Sequence, residues 1–171
     1  ASQGTTYNVF FPGFKDIKGE AGIVQSTFES NPNGTGNGDY GSMLAKAKNQ
    51  KSLLIVPEID GSDTASFSAA FKEKNKLNLM LEEIKAKTDI AIKDIVLAAH
   101  SGGSFALDSA MSDENLRKRV SRVALFDGVY HYNGPQYPNL VSWASENKQN
   151  RLQVFWNKSD DAKVAVTRTH T

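Results

Sequence analysis

At 171 residues, with 39% hydrophobic and 23% charged side chains, the chain has the size and balance of a single compact soluble domain spanning 1–171. Its formal net charge is +1 and its lysines are spread over several segments, so it offers no basic patch for nucleic acid and no field for an acidic membrane surface. The absence of cysteine excludes disulfides, thiolate catalysis and zinc–thiolate sites, and no apolar run approaches the ~20 residues that span a bilayer.

The chain opens at Ala1 rather than methionine. A removed signal peptide or a trimmed start would explain this. The expectation leans to a secreted or periplasmic protein, with a cytoplasmic one left open. The first apolar run, YNVFF (7–11), reads as a strand and ends at Pro12-Gly13-Phe14. Weaker helical patterns cover 22–30 and 42–49. Between them, NPNGTGNGDYGS (31–42) is a loop by composition. Its G-x-G-x-G spacing does not leave a strand and open a helix, so it does not satisfy the dinucleotide fingerprint.

SLLIVP (52–57) is the second strand candidate. Residues 65–87 then carry Leu77, Met80, Leu81 and Ile84 at helical spacing, with a break expected near Asn75. DIVLAA (94–99) is the third strand, followed by a short helix over 104–111. RVALFD (122–127) is the fourth strand. A helix over 139–147 carries Leu140, Val141 and Trp143, and RLQVFW (151–156) is the fifth strand. These strand runs are continuous rather than alternating, as in strands covered on both faces. Strands alternating with helices predict a three-layer α/β/α sandwich around a largely parallel sheet.

The stretch IVLAAHSGGSFALDSAM concentrates the chemistry. An apolar strand runs into His100-Ser101-Gly102-Gly103 and resumes as a helix, with small residues (Ala99, Gly103) two positions either side of Ser101. A sharp strand-to-helix turn needs small residues there because neighbouring backbone comes close. Ser101 is then either a nucleophile or a helix cap.

The AHSGG pattern resembles the G-x-S-x-G nucleophile elbow of the α/β-hydrolase family, with alanine replacing the first glycine. The resemblance implies a small serine hydrolase with Ser101 as nucleophile and the Gly102 N–H as an oxyanion donor. The Pro12-Gly13-Phe14 turn is similar to the family's His-Gly-type turn, which makes the Phe14 N–H the second donor. QVFWNKSDDAKV looks like the segment that presents the triad acid, at Asp160. Asp127, after the fourth strand, matches the position some members use instead. The family's order of serine, acid and histidine favours His170 as the base, with His131 as the alternative. His100 occupies the variable elbow position, where its side chain should point away from that of Ser101. His100, Tyr130 and His131 would line the substrate site, as would Tyr132 and Tyr137 unless they pack over the sheet edge.

Aligned in this way, the resemblance runs from Tyr7 to about Val166 and implies five parallel strands in the order 2-1-3-4-5. The family's first two strands and its closing strand and helix have no counterpart here. Cutinase-like esterases are comparably small, though this chain lacks their cysteines. The chemistry implied is ester or amide cleavage through an acyl-enzyme. The partner is a small-molecule or acyl substrate, and neither a metal nor an organic cofactor is required. The same strand order is that of flavodoxin-like modules. In that reading, or in that of a degenerate hydrolase, the turn 101–104 offers its N–H groups to an anionic ligand or the module serves a protein partner.

Overall fold

A computed structural model describes residues 4–13, 52–59, 63–129 and 137–155. In chain order these form β1 (Thr5–Phe11), β2 (Leu53–Ile55), α1 (Thr64–Ala70), α2 (Lys76–Thr88), β3 (Ile92–His100), α3 (Gly103–Ala110), α4 (Glu114–Arg117), β4 (Val120–Phe126), α5 (Pro138–Glu146) and β5 (Arg151–Phe155). The five strands make one all-parallel sheet in the order β2-β1-β3-β4-β5. The α/β class, the parallel sheet and the strand order are those expected. The expected helices over 22–30 and 42–49 and the loop over 31–42 lie outside the described residues.

The strand faces differ in cover. In β3, Ile95, Leu97 and Ala99 are buried, whereas Val96, Ala98 and His100 are half-buried. Register carries this asymmetry across the sheet: Phe11, Ala99 and Leu125 form one buried row, and Val9, Leu97 and Val123 the next. Phe11 meets Phe71, just beyond α1, edge-on at 5.4 Å, so this row faces that helix. Helix α3 packs on β1, β3, α1 and α5, with Ala106, Leu107 and Ala110 buried. Burying a side chain of Leu or Phe size contributes about 1.5–3 kcal/mol, so these rows dominate the stability.

The expected break near Asn75 is present. Asn75 adopts a left-handed φ of 65° immediately before α2, and Asp89 closes that helix at φ 56° with its N–H on the Lys85 carbonyl. Helix α1 starts where Asp63 accepts the Ser66 N–H at 2.8 Å. Helix α4 was not expected. At four residues it is too short to show a period, and its cap is Asp113, which accepts the Asn115 N–H.

Candidate active site at the carboxyl edge of β3

In the order β2-β1-β3-β4-β5 the chain first builds outward from β1 to β2, then crosses to β3 and builds the other way. The switch point lies between β1 and β3, and open α/β sheets bind ligands outside the carboxyl ends of strands at such a point. Phe11-Pro12-Gly13 lies on one side of it and Ser101-Gly102-Gly103 on the other. The two turns touch. A Cβ built on Gly103 would collide with the carbonyl oxygens of Phe11 and Pro12, so only glycine lets the start of α3 pack against the end of β1.

Ser101 is the first residue beyond β3 and adopts a left-handed backbone, φ 50°. Its N–H donates to the Phe126 carbonyl at 2.9 Å, continuing the ladder one step past the strand. Its own carbonyl accepts the Ser104 N–H at 3.1 Å, and the Gly102 carbonyl accepts the Phe105 N–H at 3.1 Å, so a tight turn leads into α3. Among the described residues, no hydrogen bond engages the Gly102 N–H. Asp127 repeats the arrangement one strand over. It is the first residue beyond β4, has φ 47°, and donates its N–H to the Phe155 carbonyl at 2.9 Å.

Because His100 pairs with Phe126, Ser101 and Asp127 leave neighbouring strands side by side, roughly 4.8 Å apart by sheet spacing. Both are half-buried and reach solvent. Among the described residues, the other two left-handed non-glycine residues, Asn75 and Asp89, flank α2 and are of the types that visit this region most readily. A left-handed serine costs about 1–3 kcal/mol, and such residues cluster at functional sites. His100, by register, shares a row with Phe126 and Phe155, on the face opposite the Phe11 row. The Phe126 and Phe155 rings stack at 4.8 Å and 10°.

Of the residues expected to form the site, Ser101, Gly102, His100 and Asp127 are therefore gathered at one edge. Phe14, Tyr130, His131, Tyr132, Asp160 and His170 lie outside the described residues. Among the described residues, no cluster of three or more His, Asp or Glu side chains could hold a metal ion, and no helix is long and apolar enough to cross a membrane.

Three residues lie behind the turn: Ser104 and Asp108, which were not expected to matter, and Tyr137, for which packing was the alternative to lining the substrate site. Ser104 is fully buried, and its Oγ has no hydrogen-bond partner among the described residues. It packs against Gly128 so closely that a Cβ there would overlap it. Tyr137 is buried, and its hydroxyl donates to the Gly128 carbonyl. Asp108 is buried and accepts the Leu140 N–H at 2.9 Å and the Asn139 Nδ2–H at 3.0 Å. Burial pushes the Asp108 carboxyl above its ordinary value, against the smaller opposing pull of the Leu140 and Asn139 donors. Asp108 did leave a trace in the sequence: it is the one charge in the apolar helix SFALDSAM, and a charge there needs partners.

Comparison with known proteins finds no family model that matches the chain and no curated protein that matches it.

Proposed function

We propose that the chain is a serine hydrolase of the α/β-hydrolase kind, cleaving a carboxylic ester or an amide through an acyl-enzyme. The observation that carries this reading is the left-handed Ser101 at the strand-to-helix turn beside the switch point. An ordinary helix cap has extended backbone and gains nothing from strain. A strained serine lifted clear of the strand end is what a nucleophile elbow requires.

In this reading Ser101 Oγ attacks the carbonyl carbon while a histidine, His170 or His131, accepts its proton. The new C–O bond forms, the oxyanion is held by backbone N–H groups including that of Gly102, and the leaving group departs with the proton from the imidazolium. Water then repeats the sequence and frees the acid. Each oxyanion donor is worth about 2.7–4 kcal/mol in such chemistry. Asp127 is the acid we favour over Asp160, because it leaves the strand next to that of Ser101 and at the same level. Its role is to orient the histidine and stabilise the imidazolium.

The test is covalent labelling with a fluorophosphonate, mapped by mass spectrometry, in the wild type and in Ser101→Ala, Asp127→Asn, Asp160→Asn, His170→Ala and His131→Ala. Labelling at Ser101, abolished in Ser101→Ala and slowed at least a hundredfold in Asp127→Asn and one histidine variant, is the expected result. If the wild type does not label, the enzyme reading fails and a module binding an anion at the start of α3 takes its place.

A further inference from the structure

Helix α3 begins at the Ser101 turn, and one face of it grips the chain that leaves Asp127. At its first turn, Ser104 packs on Gly128, the residue after Asp127. The Phe105 ring lies 5.6 Å from that of Tyr137. One turn along, both carboxylate oxygens of Asp108 face the start of α5. That helix needs an outside cap. Tyr137 stands at its N-cap position and gives no side-chain cap bond, and Pro138 follows it. The N–H of the third helical residue, Leu140, is instead satisfied by a carboxylate from a different helix, at the end where the helix dipole favours negative charge. The Tyr137 hydroxyl donates to the Gly128 carbonyl. Gly128 and Tyr137 are thus both held against α3, and the Tyr137–Gly128 hydrogen bond joins them.

We propose that Asp108 is a positioning residue for the site: by capping α5 it fixes Tyr137, and through the Tyr137–Gly128 hydrogen bond it holds the backbone of Asp127 beside Ser101. The inference rests on the reading of Ser101 and Asp127 as nucleophile and acid. It extends that reading to a buried carboxylate that touches no substrate. Its consequence is kinetic, because displacing a catalytic group by about 1 Å costs on the order of a hundredfold.

The experiment compares Asp108→Ala, Asp108→Asn and Tyr137→Phe with the wild type, all at a temperature where each is fully folded by circular dichroism. Two quantities are read: hydrogen exchange in peptides spanning 126–129 and 137–141, and the rate of fluorophosphonate labelling at Ser101. Asp108→Ala should raise exchange in both peptides and slow labelling about tenfold or more. Asp108→Asn keeps one acceptor for the Leu140 N–H and should recover part of both effects. Tyr137→Phe keeps the ring on Phe105 but loses the bond to Gly128. It should raise exchange in 126–129, leave 137–141 protected, and slow labelling.

A merely structural cap would loosen 137–141 in Asp108→Ala while 126–129 and the labelling rate stayed at wild-type values, and that result would overturn the proposal. So would wild-type behaviour of Tyr137→Phe, which also decides the matter if Asp108→Ala does not fold. If the wild type fails to label, the hydrolase reading falls by itself, and the exchange pattern still decides whether Asp108 holds Asp127.

Discussion

Ser101 and Asp127 share a left-handed backbone but tolerate it unequally. An aspartate can bond its own neighbouring backbone and visits this region readily, whereas a serine with its Cβ crowded against a carbonyl pays more. Ser101→Gly removes the crowding and Ser101→Ala keeps it. Ser101→Gly should therefore be the more stable of the two by about 1 kcal/mol in urea denaturation, although both lose the hydroxyl.

Asp108 makes a second prediction at this scale. Its carboxyl is raised above 3.8 in the folded state, so the folded chain binds that proton more tightly than the unfolded chain. The resulting stabilisation is fully present below the ordinary value and is lost as pH rises through the folded value. The unfolding free energy of the wild type, taken relative to Asp108→Asn, should fall across that window. A rise would mean that the Leu140 and Asn139 donors outweigh burial.

Among the elements, those with a strong local signature were legible. The broken helix near Asn75 is the clearest case. Leu77, Met80, Leu81 and Ile84 mark one face, and Asn is a residue that accepts φ 65°. Helix α4 was not legible, because four residues carry no period. The unequal cover of the strands was also missed, since a continuous apolar run does not say which face a helix covers. Phe155 and Phe11 show the difference. Phe155 is 46% exposed and stacks on Phe126, while Phe11 is 0% exposed and packed against Phe71. Phe155→Ala should cost about 1 kcal/mol, mostly the ring pairing. Phe11→Ala should cost about 3–5 kcal/mol because it opens a cavity in the core. Thermal unfolding of the two variants side by side checks this, and equal losses would mean that the Phe155 side of the sheet is as closely packed as the Phe11 side.

For the whole molecule, the sheet is assembled from distant pieces. Phe11 pairs with Ala99 and Tyr7 with both Leu53 and Ile95, so β1 cannot be completed until most of the chain has been brought back to it. Closing such loops precedes any reward from the contacts they allow. Refolding, followed by tryptophan fluorescence in a stopped-flow instrument, should take milliseconds to seconds rather than microseconds. The exposed ion pair Lys87–Glu83 at 2.6 Å and the half-exposed pair Arg119–Glu82 at 2.8 Å contribute little to this balance.

By itself the sequence determined the five strands, the described helices other than α4, the α/β class and the turn at Ser101. Those follow from apolar runs, helical spacing and the small residues of AHSGG, and all of these are local. The tertiary structure alone decided that Ser101 and Asp127 take the same strained backbone at adjacent strand ends, that Gly103 lies against the turn after β1, and that Asp108 caps a helix other than its own. Each of these joins residues far apart in the chain. The reason is physical: periodicity reports which way one segment faces, whereas backbone strain and a borrowed cap exist only where the closed sheet brings two segments together.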